Sequence, residues 1–198
     1  MQELLFNERV IGDLSAVFAD LSMSRYRSLP DTDRMFAPEL AGGVQLDCGP
    51  YPLVWAMMAL FHHPDNHRTP PTGVTGSMLR HPRTSVDVAS SLTLNFEPLM
   101  ARANLTCSFV AATPSDVCVR IIGDKGELVI PKATMRPEAI VIRRRNGEAR
   151  FGFPTFDEER IDFPEILGAS EDAFVVRLLT LSVQGWGCIG RQMQSRGH

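Results

Sequence analysis

Little in this sequence is offered to a polyanion. Lysine and arginine number 20 against 23 aspartates and glutamates in 198 residues, a formal net charge of −3. No stretch gathers a phosphate-binding stripe, so nucleic acid is not an expected partner. The densest basic cluster, Arg143-Arg144-Arg145, runs into Asn146-Gly147 and reads as the solvated end of a hairpin. Cysteine is sparse: Cys48, Cys107, Cys118 and Cys188 lie far apart with no CxxC spacing. That spacing suggests neither a zinc site nor a redox motif, and reduced thiols are expected. No segment approaches the length of a membrane span, and Met1-Gln2-Glu3 opens without the basic region or apolar run of a secretory signal. The expected location is the cytoplasm, with no membrane partner. Internal repeats and low-complexity segments are also missing.

What is there is a chain with 44% hydrophobic residues, long enough for one domain with a proper core. Residues 2 to 10 read as the tail of a helix closed by Gly12. Leu14 to Met23 alternates Leu14, Ala16 and Phe18 against Ser15, Val17 and Ala19, the period of a strand with one buried face. A polar loop runs from Ser24 through Pro38. The one long apolar helix is expected at about Val44 to His62. There Leu53, Val54, Met57, Met58, Leu60 and Phe61 cover more than half the circumference, which makes it the central packing element.

Strand candidates follow: Gly73 to Leu79, Ser85 to Phe96, Met100 to Ala111, Asp116 to Ile122, Glu127 to Ile130 and Ala139 to Arg145. They are rich in Val, Ile, Thr and Leu and are punctuated by proline and glycine. Connections this short predict antiparallel neighbours, because a parallel crossover needs a dozen or more residues. The expected fold is α+β: a broad, mainly antiparallel open sheet with helices packed on one face. An exposed apolar sheet face would need covering, so association is expected.

Chemistry concentrates in "GGVQLDCGPYPLVWAMMALF", Gly42 to Phe61. On a continuous helix Asp47, Tyr51 and Trp55 fall at i, i+4 and i+8 in one polar and aromatic stripe. Pro50 and Pro52 work against continuity, at roughly 3 kcal/mol for each internal proline, and predict a distorted first turn or a start near Tyr51. Two readings stand side by side. Asp47 caps a helix end and Tyr51 is half-buried packing; or Asp47 charges a neighbour while the Tyr51 phenol passes a proton to or from a substrate oxygen.

The same stretch resembles the GGG-A-L-L-D-x-G-x-Y-P-L segment of the Gfo/Idh/MocA family of NAD(P)-dependent oxidoreductases, in the branch of dimeric dihydrodiol dehydrogenases and NADP-dependent D-xylose dehydrogenases. Three collinear pieces resemble the family too: "ELLFNERVIGDLSAVFADLS", "APELAGG" and "VRIIGDKGELVIP". The resemblance implies the α/β substrate-binding and subunit-interface domain over residues 1–166, without the Rossmann domain, followed by a divergent tail over 167–198. It implies Asp47 and Tyr51 as the catalytic pair, with Trp55 and Arg34 as substrate contacts. The family's lysine has no counterpart and would lie upstream of Met1. Pro50 departs from the family pattern.

Two further motifs are set aside. Gly185, Gly187 and Gly190 spell G-x-G-x-x-G, but only eight residues follow, none of them acidic. His62, His63 and His67 could approach a metal, but Pro64 breaks the regular spacing. No metal and no cofactor are therefore expected of this chain, NADP entering only with a Rossmann domain supplied in trans. The favoured expectation is a cofactor-independent acid/base catalyst, of isomerase, dehydratase or cyclase type, acting on a small oxygenated metabolite. The alternative is a non-catalytic dimerising module, or the substrate-binding half of an NADP-dependent dehydrogenase. A homodimer through the open sheet is expected in each case.

Overall fold

Eight strands lie side by side in the order β2-β3-β4-β1-β5-β6-β7-β8. They are β1 (Leu14–Ser22), β2 (Gly73–Arg80), β3 (Asp87–Phe96), β4 (Ala101–Ser108), β5 (Val119–Gly123), β6 (Gly126–Ile130), β7 (Ala139–Glu148) and β8 (Pro154–Asp162). A computed structural model describes residues 1–148 and 150–163. The glycine motif at 185–190, Cys188 and the expected boundary at 166 lie outside the described residues. Among those described, no helix is long and apolar enough to cross a membrane.

Every pairing is antiparallel except one. β1 runs parallel to β4, from Ala16 opposite Arg102 to Ser22 opposite Ser108, and antiparallel to β5. The expectation that consecutive strands all pair therefore fails at β4 and β5, which stand on either side of β1. Their connection is not a tight turn but the segment 109–118, which steps over the end of β1 and is fastened there. Asp20 accepts hydrogen bonds from Thr113 and Thr106, and its backbone N–H donates to the Cys118 carbonyl at 2.9 Å.

As expected, β1 has one well buried face, and it is the odd-numbered one. Val17, Ala19 and Leu21 are buried, whereas Phe18 is 44% exposed. A register shift between Leu14 and Ala16 changes the parity, so Leu14 shares the buried face with the odd-numbered residues.

The single helix expected over 44–62 is three segments: α1 (Val44–Asp47), α2 (Pro50–Ala56) and a π-helical turn (Met57–Phe61). Pro50 and Pro52 have no N–H to donate, so the ladder cannot cross this point. Instead Gly49 N reaches back to Val44 O at 3.2 Å and Tyr51 N to Cys48 O at 3.2 Å. Likewise the N-terminal helix is one π-helical turn, Glu3–Asn7, which ends well before Gly12; Arg9 already has positive φ.

Trp55, Ala56, Ala59 and Leu60 pack on Val17 and Ala19 of β1, Ala103 and Leu105 of β4 and Leu94 and Phe96 of β3. Alanines on both sides of this contact allow the helix to approach the sheet closely. The other face carries Ser77, Ser91, Thr93, Asn95, Arg102, Asn104 and Thr106 on β2 to β4. Ser77 and Ser91 hydroxyls lie 2.9 Å apart, and Arg102 Nε donates to Asn95 Oδ1 at 2.8 Å. The exposed face expected to be apolar is here a ladder of hydroxyls and amides.

Arg143-Arg144-Arg145 lies within β7 rather than at a hairpin tip, and β8, which was not expected at all, answers it with acid. Arg144 donates to Glu159 at 2.7 Å. Arg143 Nε lies 2.7 Å from Glu158 off the N–H axis, so charge attraction dominates that contact. Glu127 of β6, 4% exposed at its side chain, sits between Arg120 (Nε at 3.0 Å) and Arg143 (Nη1 at 3.0 Å). This buried carboxylate is tolerated because two guanidiniums satisfy it. Replacing it (Glu127→Ala) leaves Arg120 without this partner and Arg143 with Glu158 alone. The expected loss is on the order of 2 kcal/mol, below the figure for a wholly buried pair because both arginines reach solvent. A lower urea midpoint at unchanged m-value is the readout.

Candidate functional site

A four-residue helix is too short to nucleate in water, so α1 depends on outside support. Asp87, at the start of β3, supplies it: Oδ2 accepts from Gln45 N at 2.6 Å and from Ser90 Oγ at 3.2 Å. The carboxylate comes this near only because residue 43 is glycine. Gly43 has φ +124, and a Cβ there would stand 2.3 Å from Asp87 Oδ1. Gly42 plays the matching part on the other side, where a Cβ would fall 2.7 Å from Arg34 O. The pair thus lets the turn Arg34–Phe36 lie against α1, joined by Gly43 N to Met35 O at 2.9 Å and Gly42 N to Ala37 O at 2.9 Å.

That turn rests on a buried base. Asp33 caps it by accepting from Met35 N at 2.9 Å. Phe36, fully buried, stacks on the His81 ring with centroids 5.0 Å apart. His81 accepts from Thr84 N through Nδ1 at 3.2 Å, and its Nε2 lies 3.5 Å from Asp31, which also pairs with Arg83. None of Asp31, Asp33, His81 or Asp87 was singled out from sequence. The spacing of Asp33 ahead of Met35 and Phe36 is a cap signal that was available; the long-range Asp87 cap left no local trace.

The consequence is that Arg34 reaches Asp47, with Nη1 to Oδ1 at 3.3 Å. The Asp47 side chain is 24% exposed and that of Arg34 65% exposed, so the pair fixes direction more than it stabilises. Tyr51, one turn beyond the break, is half-buried against the cluster of Leu21, Phe36, Val44, Cys48 and Phe109. Its phenol has no hydrogen-bond partner among the described residues. Trp55 goes elsewhere: it is 5% exposed, and its indole N–H donates to Thr134 O at 2.9 Å inside the main core. The expected stripe is therefore divided. Arg34, Asp47 and Tyr51 gather around the α1–α2 junction, and Trp55, expected to touch substrate, is a core residue with its one polar atom committed.

Beneath the junction is a recess of about 10 Å³ lined by Gln45, Gly49, Pro52, Ser90 and Leu92, room for about one water molecule and far too small for a sugar. Asp47 and Tyr51 do not line this recess; with Arg34 they stand on the wall of the junction beside it. His63 packs edge-on against Phe6 at 5.1 Å and accepts from Asp65 N, while His67 takes positive φ; burial holds both His62 and His63 below their ordinary pKa. Among the described residues no group of three His, Cys, Asp or Glu is placed to hold a metal.

Two cysteines adjoin the wall. Burial, reinforced by the Asp47 charge, pushes the Cys48 thiol up to about 12, and burial with Asp87 and Asp20 does the same for Cys107. Both thiols should resist iodoacetamide at pH 8 in the native protein and react in urea, with mass spectrometry locating the label. The raised values stabilise the fold fully below the ordinary thiol pKa of 9.0, and that contribution is lost as pH climbs toward about 12. Urea midpoints should fall over that window, and less steeply in a Cys48→Ala, Cys107→Ala protein.

A profile of the GFO/IDH/MocA C-terminal domain matches residues 3–129, which include this junction. D-xylose 1-dehydrogenase (NADP(+)) of Hypocrea jecorina is 32% identical over 147 residues, 72% of this chain and 37% of that enzyme. An NAD-binding oxidoreductase from Klebsiella pneumoniae shares the fold at TM-score 0.63 and 16% identity, over 89% of this chain and 51% of that one. The aldose-aldose oxidoreductase of Caulobacter crescentus, solved with glycerol, does so at TM-score 0.60 and 19% identity, over 93% and 50%. The chain thus spans about a third to a half of the length of these relatives.

Proposed function

The chain belongs to the Gfo/Idh/MocA family through its C-terminal domain, and from that membership we propose that it is the substrate-side half of an NADP-dependent sugar dehydrogenase. What supports the proposal is the grouping of Arg34, Asp47 and Tyr51 at the α1–α2 junction, where Arg34 pairs with Asp47 and Tyr51 stands at the start of α2. A substrate site there needs a surrounding surface that excludes water.

The described residues do not themselves fit a dinucleotide. A cradle for pyrophosphate requires a strand running through a glycine turn into a helix N-terminus. Here β1 leads instead into the 24–38 loop, and its parallel neighbour β4 leads into the 109–118 segment. Nucleotide chemistry is accordingly assigned to a half outside the described residues, which leaves this chain's side chains to hold the sugar and move its proton. Tyr51 exchanges a proton between its phenolic oxygen and a hydroxyl or carbonyl oxygen of a small sugar. Asp47, held by Arg34, places a carboxylate beside that exchange and orients the polar substrate. Two copies associate through the open face, where the hydroxyl and amide ladder of β3 and β4 supplies the contacts; polar surface of this kind is ordinary at protein interfaces.

The cofactor-independent isomerase, dehydratase or cyclase reading uses the same pair but gains nothing from the relatives, whose names are those of oxidoreductases. One experiment separates the two. NADPH is titrated into the purified chain, alone and with the nucleotide-binding half of a xylose-dehydrogenase relative, and turnover of D-xylose is followed. No tight binding by the chain alone is expected. Turnover should appear with the added half and drop by about 10²- to 10⁴-fold in Tyr51→Phe. Turnover of any sugar without nicotinamide would favour the non-redox reading, and tight NADPH binding by the isolated chain would overturn the division of labour.

A further inference from the structure

Among the described residues the sheet has two outer strands, and their chemistry differs. β8 carries Asp157, Glu158, Glu159, Arg160 and Asp162, a charged edge of the kind that blocks strand addition. β2, "GVTGSMLR", carries no acid and one base, Arg80, at its end. Its residues from Val74 to Arg80 are all exposed, including Val74 at 60%, Met78 at 51% and Leu79 at 64%. Among the described residues nothing pairs with its outer side. A long, uncharged, partly apolar edge is a template for another strand.

The occupant can be chosen by charge. If β8 met the β8 of a second copy, Asp157, Glu158 and Glu159 would stand opposite one another, like charge against like. If β8 met β2, the same acids would be brought against Thr75, Ser77 and apolar side chains, with Arg80 at the strand's end as the one base. β2 against β2 meets neither obstacle.

Register narrows the arrangement further. A two-fold axis normal to the sheet keeps each face on its own side, so residues of equal parity stand opposite one another. With the axis at Gly76, Val74 meets the partner's Met78 twice. Thr75 meets the partner's Ser77 twice, and Arg80 falls opposite Thr72 rather than another cation. Val74 and Met78 then share the helix-bearing face, while Thr75 and Ser77 share the open face, where Leu79 falls opposite the partner's Gly73. Centring one residue later, on Ser77, would set Val74 against Arg80.

We propose that the outer edge of β2 pairs antiparallel with β2 of a second copy of this chain about a two-fold at Gly76, joining two sheets into one. This contact is separate from the face-to-face association proposed above and does not depend on the dehydrogenase reading.

The test is a charge exchange at two exposed positions. In a Val74→Lys, Met78→Lys protein the proposed register sets lysine against lysine twice. In a Val74→Lys, Met78→Glu protein it sets lysine against glutamate twice. Light scattering after size exclusion gives the mass of the wild type and both variants over a range of concentrations and at low salt, with circular dichroism to check that each is folded. The expected result is that wild type and the Lys/Glu protein share one mass and the Lys/Lys protein has about half of it. High salt should bring the two variants together. Equal masses for all three proteins, or loss of mass in both variants alike at low salt, would overturn the proposal.

Discussion

The contact between Asp87 and the start of α1 carries more of this structure than its size suggests. A helix of one turn has four N–H groups to satisfy and almost no cooperativity of its own. It persists here because a carboxylate from the sheet accepts the Gln45 N–H at 2.6 Å across a glycine that leaves room for it. Fixing α1 fixes Asp47, and the turn docked on the same glycine pair brings Arg34 to it. On the far side, two prolines that cannot donate end the helix and let α2 start afresh; within α2, Tyr51 packs on one cluster and Trp55 lies in another. Backbone constraints, more than attraction between the functional side chains, assemble the wall.

The prolines and the glycines act in opposite senses on the same stretch. Each proline removes a backbone donor and would be costly inside a regular helix. Placed at the first turn of α2 they cost little, since those positions have no intrahelical acceptor to lose. The departure from the family pattern at Pro50 is therefore accommodated by a break that the chain also uses to separate the polar end of the segment from its aliphatic end.

How much of this could be read from sequence depends on the range of the forces involved. Strands such as β3 and β4 were legible because burial on one face imposes a period of two, whereas β2, exposed, and β6, buried throughout, were read from β-branched composition and flanking turns, and together they gave the open α+β sheet. β8 was not, since its DEER run carries no apolar period and forms only against the arginines of β7. The parity of β1 turned on a one-residue bulge, and the parallel placement of β1 beside β4 turned on hydrogen bonds to the 109–118 segment; neither has a local signature. At the candidate site, Asp47 and Tyr51 were singled out from residue types and spacing together with the family resemblance, and both stand at the α1–α2 junction. Arg34 was expected at the substrate and stands at Asp47. Trp55 was expected at the substrate and lies in the main core, its indole N–H bonded to Thr134 O. Asp87 and His81 act across forty or more residues of chain, a distance at which spacing says nothing.

The chain spans about a third to a half of the length of the relatives it matches, and the described residues account for the α1–α2 junction alone. The central physical claim is narrower: that the sheet, through Asp87, holds α1 and with it Asp47. Amide hydrogen exchange in an Asp87→Ala protein measures it directly. The account predicts that protection collapses at Gln45 to Cys48 while the amides of β3 and β4 keep theirs. Protection at Gln45 to Cys48 equal to that of the unsubstituted protein would contradict it.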